Sequence, residues 1–172
     1  NSLAPACSPD TFPGNTSHFD HPLDLDSQLM DKNETSLLPF IIDHIGIAVN
    51  SLEPAIQRWM TLFGSPPSGE ETIESEGVQA AFFGEGSGRV ELLAPWGKDS
   101  PIARFIKKRG AGIHHICVRV ADLEMILEQA EANGIEPISP RVRTGSSGSR
   151  VAFLHPRTID GVLLELREDA DV

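Results

Sequence analysis

The sequence predicts an α+β fold: two tandem βαβββ units whose strands form one curved, mixed sheet lining a cavity. Three observations predict it. A twelve-residue segment, Ile42-Asp43-His44-Ile45-Gly46-Ile47-Ala48-Val49-Asn50-Ser51-Leu52-Glu53, recurs 71 positions downstream as Ile113-His114-His115-Ile116-Cys117-Val118-Arg119-Val120-Ala121-Asp122-Leu123-Glu124. Six positions are identical, His44 with His115 among them. Each copy then runs through a helical pattern, a glycine stop and further short β-rich runs. Each copy also ends in an apolar strand carrying one carboxylate, Val90-Glu91-Leu92-Leu93 and Leu163-Leu164-Glu165-Leu166.

The elements follow in order. Residues 41–49 and 113–120 are β-branched runs and open each unit as a strand. Leu52, Ala55, Ile56, Trp59, Met60 and Phe63 recur at helical spacing and predict a helix over 52–63; Leu123, Ile126, Leu127 and Ala130 predict one over 123–133. Gly64 and Gly134 stop them. Strands are predicted over 72–75, 78–83 and 89–94 in the first unit, and over 135–139, 150–154 and 162–167 in the second. Gly84-Glu85-Gly86-Ser87-Gly88 and Gly145-Ser146-Ser147-Gly148 supply turns. A helix near 101–109 joins repeats of about 41–97 and 112–168, which make a single domain over 39–168.

Residues 1–38 differ. They are rich in Pro, Ser, Asp and Asn, lack apolar periodicity and contain one base, Lys32. They read as a flexible acidic N-terminal arm. Met30 offers an internal start, so the first 29 residues are expected to be dispensable. The arm has neither the basic start and apolar stretch of a signal peptide nor the arginines of a mitochondrial transit segment.

The 172 residues are 40% hydrophobic and 23% charged, a soluble globular balance. A net charge of −11 argues against nucleic acid and anionic membranes as partners. No apolar run approaches the roughly 18 residues needed to span a bilayer. The two cysteines, Cys7 and Cys117, lie in unlike contexts, which favours a reducing compartment and a cytoplasmic location.

Strand alternation puts His44, Gly46 and Ala48 on one face, as it does His115, Cys117 and Arg119. Ile45, Ile47, Val49, Ile116, Val118 and Val120 face the helices. One His and one Glu per repeat therefore predict a single site at a pseudo-twofold axis: His44, Glu91, His115 and Glu165, a plausible shell for a divalent metal. His115, not His114, superposes on His44, so His114 is expected to support the site from behind.

These motifs, in this order, resemble the vicinal-oxygen-chelate (glyoxalase/bleomycin resistance) superfamily, and within it the methylmalonyl-CoA epimerase family. The narrower resemblance rests on Ile42–Val49, on Val90-Glu91-Leu92-Leu93-Ala94-Pro95 with Lys98-Asp99-Ser100-Pro101-Ile102-Ala103, on Gly112-Ile113-His114-His115-Ile116, and on the run from Thr144 through Leu154-His155-Pro156-Arg157 to Leu166. The resemblance implies a metal-dependent epimerase that inverts carbon 2 of methylmalonyl-CoA through a metal-stabilised enolate. It implies one divalent ion (cobalt, manganese, zinc or nickel), an acyl-CoA thioester as partner, a homodimer, and Glu165 as both ligand and catalytic base. Four protein ligands on an octahedral ion leave two positions for substrate oxygens. Some members carry a second catalytic glutamate where alignment on Gly77 puts Ala80; a glutamate introduced there is expected to leave the fold intact, provided the cavity has room. The competing readings are a glyoxalase I-type isomerase with the same ligand set, and a metal-free small-molecule binding (resistance) protein of the same fold.

Overall fold

A computed structural model describes residues 40–169. The expected arm, 1–38, lies outside the described residues. Eight strands form one sheet: β1 (Ile41–Ala48), β2 (Gly69–Ile73), β3 (Val78–Phe83), β4 (Arg89–Pro95), β5 (Gly112–Arg119), β6 (Arg143–Thr144), β7 (Arg150–Leu154) and β8 (Leu164–Glu168). Their order is β2-β3-β4-β1-β5-β8-β7-β6. That order is a near-palindrome of the two repeats. β1 pairs parallel with β4, β5 pairs parallel with β8, and β1 and β5 meet antiparallel at the centre. The antiparallel seam is what relates the two units by a local twofold.

Two helices cover one face. The α1 helix (Leu52–Phe63) buries Ala55 and Ile56 against Val49, Ala81, Phe83, Leu92 and Ala94. The α3 helix (Leu123–Ala132) buries Leu123, Leu127 and Ala130 against Val118, Ala152, Leu154 and Leu166. Each fully buried leucine is worth roughly 1.5–3 kcal/mol. Asp122 caps α3, its side chain accepting from the Met125 amide at 2.9 Å. The linking helix α2 (Pro101–Arg109) packs on the opposite face, with Ile102 against Ala48, Val78, Ala80, Phe82 and Leu93.

Three local expectations are corrected. The strand expected at 72–75 begins at Gly69 and stops at Ile73, because Glu74-Ser75-Glu76 closes a 3₁₀ turn. Gly77 ends that turn at φ +65°, with the place of a Cβ only 3.0 Å from the Trp96 carbonyl. In the second unit 135–139 is not a strand. Pro137 and Pro140 have no N–H to offer a ladder, so the segment keeps one isolated bridge, Pro137 with Leu154, and Arg143–Thr144 becomes the edge strand. Ile45 also differs: expected against a helix, it is 36% exposed.

Candidate metal centre and active site

The central strands place all four predicted residues together. In register, Glu91 faces Gly46 and Gly46 faces His115; one step along, His44 faces Cys117 and Cys117 faces Glu165. Each histidine therefore sits across the seam from a small residue of the other repeat, Gly46 or Cys117. The same repeat position supplies both small residues. The result is a converging set of donor atoms. His44 Nε2 lies 3.1 Å from His115 Nε2, 3.3 Å from Glu91 Oε2 and 3.7 Å from Glu165 Oε2. His115 Nε2 lies 2.9 Å from Glu165 Oε2 and 3.5 Å from Glu91 Oε2. All four side chains are buried.

The donor chemistry fits a divalent cation. Ligand atoms at roughly 2.0–2.3 Å from one ion are about 3 Å apart along an octahedral edge, the range these contacts occupy. Two carboxylates and two imidazole lone pairs aimed at one point also repel each other unless something positive sits among them. The ligand atoms of His44, His115 and Glu165 all lie within 4.8 Å of one another. Glu91 joins from the side of the first repeat.

The electrostatics say the same. Burial works against a charge on His44, but hydrogen bonds to Asp43, Cys117, Glu165 and Glu91 outweigh it and raise its pKa. Burial likewise opposes an ionised Glu165, but hydrogen bonds from His115 and His44 pull it down to about 2. The pocket thus holds positive charge strongly, and a proton competes with a metal for the same nitrogens.

Behind each imidazole sits the residue that precedes it. Asp43 Oδ1 accepts from His44 Nδ1 at 2.8 Å. Asp43 is fully buried and also accepts from Arg89 and Arg119. Burial would raise its pKa, but the bonds from His44, Arg89 and Arg119 hold it below the usual carboxylate range. A proton fixed on Nδ1 leaves the Nε2 lone pair free to face the site. His114 Nδ1 lies 3.0 Å from His115 Nδ1. Burial, with the neighbouring His115, pushes the His114 pKa down to about 4, so it is a neutral partner. The sequence signal for Asp43 is its alignment with His114, one place before each of the paired histidines. Asp43→Asn is expected to weaken divalent-ion binding about 10–100-fold with the ion site otherwise intact. Calorimetric titration with Co²⁺ checks this, and unchanged affinity would show that Asp43 serves only to neutralise the arginines.

Asp43, His44 and Cys117 form a second ligand-like group, but it does not suit a metal. Two arginines already occupy Asp43, and burial pushes the Cys117 thiol up to about 11, so it stays protonated.

The site opens into a cavity of about 410 Å³ that reaches Glu91, His115 and Glu165 from above. His114, Phe153, Arg104 and Arg143 also line it. Arg143 crosses between the repeats, donating to Glu76 at 3.1 Å and to the Ser139 carbonyl at 2.9 Å. Ala80 is fully buried in the apolar cluster under α2. A glutamate there would need a partner to offset the cost of burying its carboxylate.

Comparison with known proteins agrees with this arrangement. Residues 43–153 match the family model of the glyoxalase/bleomycin resistance protein/dioxygenase superfamily. The mitochondrial methylmalonyl-CoA epimerase of Homo sapiens is 37% identical over 128 residues, 74% of this chain and 73% of that protein. The ethylmalonyl-CoA/methylmalonyl-CoA epimerase of Cereibacter sphaeroides is 34% identical over 74% of this chain and 96% of its own. The chain belongs to the methylmalonyl-CoA epimerase family of that superfamily. Among solved structures, the methylmalonyl-CoA epimerase of Mycobacterium tuberculosis superposes with a TM-score of 0.73 at 34% identity, covering 80% of this chain and 92% of that one. A methylmalonyl-CoA epimerase in complex with methylmalonyl-CoA and NH4+ superposes at 0.71 with 33% identity, covering 77% and 96%. Among the described residues, no helix of this family member is long and apolar enough to cross a membrane.

Proposed function

We propose that this protein is a metal-dependent epimerase that inverts carbon 2 of methylmalonyl-CoA. The observation that carries the reading is the convergence of His44, Glu91, His115 and Glu165 at the floor of a cavity, in a chain of this family. When bound there, a divalent ion supplies Lewis-acid charge beside the thioester and carboxylate oxygens, where an enolate's negative charge develops. The chain's own residues do the rest. Asp43 and His114 hold the Nδ1 sides of His44 and His115, which turns both Nε2 atoms toward the ion that would bind there. Glu165, ionised and buried at the cavity floor, takes the proton from carbon 2 or returns it. Val78, Leu93, Ile102 and Phe153 line the cavity with apolar surface and exclude competing water. The domain that carries this activity spans 39–168, with the acidic arm outside it.

Deuterium wash-in at carbon 2 of methylmalonyl-CoA tests the reading. Exchange is expected with Co²⁺ or Mn²⁺ and is expected to vanish after chelation and return on metal addition. Turnover of a hemithioacetal without exchange on methylmalonyl-CoA would favour the glyoxalase I-type reading instead.

The homodimer belongs to the same proposal. Ile42, Ile45 and Ile113 share the helix side of the central strands with Val118, Ile116 and Ile47, their register partners. They are 46%, 36% and 67% exposed, which leaves apolar side chains at the middle of the sheet. A second copy covering them fits a patch of this kind. Sedimentation velocity at one protomer mass would refute the dimer.

A further inference from the structure

We infer that Glu76 and Arg143 form a clasp that pins the two edges of the sheet together over the cavity and fixes the cavity's width; that the clasp thereby positions an acyl-CoA substrate rests on the function proposed above. Strands β2 and β6 are the two ends of the eight-stranded order. Strands in a sheet lie about 4.8 Å apart, so eight laid flat would keep their outer edges roughly 34 Å from each other. Glu76 closes the 3₁₀ turn that follows β2, and Arg143 opens β6. Yet Arg143 donates to Glu76 at 3.1 Å. The curl of the sheet has brought its two ends within hydrogen-bond distance, and this ion pair spans them.

Arg143 is held at three points. One terminal nitrogen donates to Glu76 and the other to the Ser139 carbonyl, at 2.9 Å. The guanidinium lies over the Phe153 ring, 5.7 Å from its centroid. Phe153 in turn meets the His115 ring edge-on, with centroids 5.9 Å apart. The clasp therefore reaches the floor of the cavity through one aromatic ring. Both partners line the cavity, Glu76 beside Ile73 and Val78 on the wall of the first repeat, Arg143 beside Ser139 and Thr144 on the wall of the second. Whatever sets the distance between these walls sets the space for a ligand between them.

A plainer account is an ordinary surface ion pair, of the kind that adds little stability. Arg141, Arg150 and Arg157 fit that account: each pairs with a carboxylate of its own repeat, and each side chain is 36% exposed or more. Arg143 does not fit it. Its side chain is 20% exposed, and its acidic partner comes from the other repeat. Among the described residues its buried Nε has no partner at all. An unpaired buried N–H costs free energy, so the contact is a poor source of stability. What it does supply is the placement of two walls. Nor does the duplication explain it: the two residues stand 67 positions apart, not the 71 of the repeat.

Amide hydrogen exchange on the metal-loaded protein reads the clasp without turnover. Glu76→Gln keeps the shape of the side chain and removes its charge. It is expected to speed exchange about two- to fivefold at 69–77 and, across the cavity, at 141–145, the range that one partly exposed ion pair supports. Arg143→Gln is expected to speed the same two segments, and the Glu76→Gln/Arg143→Gln variant to add little to the larger single effect. A melting curve on each sample establishes folding, and Glu76→Gln alone carries the test if the Arg143 variants do not fold. The KM for methylmalonyl-CoA is expected to rise by a similar factor in Glu76→Gln, with kcat changing less, because the walls place the substrate and take no part in the proton transfer. Faster exchange confined to 69–77, additive effects of the two substitutions, or a wild-type KM in Glu76→Gln overturns the clasp. Absence of turnover by wild type, with exchange still coupled across the two edges, would instead overturn the epimerase and leave the clasp standing.

Discussion

Glu165→Gln is expected to slow deuterium exchange at carbon 2 by about a thousandfold or more, the scale of losing a positioned acid–base group. The substitution keeps the shape of the side chain and removes its charge. On the proposed function, two roles are lost together. As a ligand, Glu165 places a carboxylate oxygen 2.9 Å from His115 Nε2 and 3.7 Å from His44 Nε2. As a base, it is the buried carboxylate at the cavity floor that can accept a proton. Burial opposes its ionisation, but the bonds from His115 and His44 hold its pKa near 2. The depressed value keeps the group charged at neutral pH and also makes it a weak base, so relief of its imidazole hydrogen bonds is part of what the loaded site must provide. Metal content measured beside exchange separates the roles. A variant that retains its metal and exchanges at near wild-type rate would reduce Glu165 to a ligand, and the base would have to be sought elsewhere in the cavity.

Proton linkage gives that site a pH dependence with a definite sign. The His44 pKa is raised, so the folded, metal-free protein holds a proton on His44 well above the ordinary imidazole range. The stabilisation from that proton is complete below the unfolded value near 6.5 and is lost only as pH rises through the raised folded one. A metal bound there would displace the proton, so lowering pH is expected to weaken metal binding. Glu165 runs the other way. Its contribution is present above the ordinary carboxylate pKa and is lost as pH falls towards about 2.

The legible parts of this protein were those written in periodicity and repetition. The 71-residue offset between His44 and His115 gave both the twofold and the residues that cluster at it, because residues one repeat apart must occupy equivalent places in a duplicated sheet. The helix at 52–63 was readable from apolar spacing and matches Leu52–Phe63, and the bridging helix near 101–109 matches Pro101–Arg109. The edge of the second unit was not readable in the same way. Ile135 and Ile138 have strand character, but Pro137 and Pro140 withhold the donors a ladder needs, and a two-residue strand such as β6 leaves no periodic signal. Ala80 was hidden for another reason. Its burial depends on α2 folding back over the sheet, a contact that no local pattern in residues 78–83 encodes.

Gly46→Ala is expected to abolish tight metal binding, a loss of at least about a hundredfold, while the protein stays folded. A Cβ at this position would stand 2.3, 2.5 and 2.8 Å from Cε1, Nδ1 and Nε2 of His115. No heavy atom tolerates such contacts, so either the ring or the strand must move. The strand cannot yield easily: β1 is paired on both sides, with β4 and with β5. The ring is also confined, edge-on to Phe153 with centroids 5.9 Å apart and bonded to His114 behind. Overpacking of this kind costs about 1–3 kcal/mol, enough to drive the imidazole off its rotamer rather than to unfold the sheet. Displacement of His115 by even about 1 Å spoils a coordination shell that tolerates only a few tenths of an ångström. Circular dichroism and a Co²⁺ titration on the same sample distinguish the outcomes. Native-like metal affinity in Gly46→Ala would mean that the seam between the repeats relaxes, and that the approach of His115 to the β1 backbone does not set the site. The symmetric position supplies the control. Cys117→Ala, one repeat on, removes the thiol beneath His44 without adding bulk, and is expected to leave far more of the metal affinity than Gly46→Ala does.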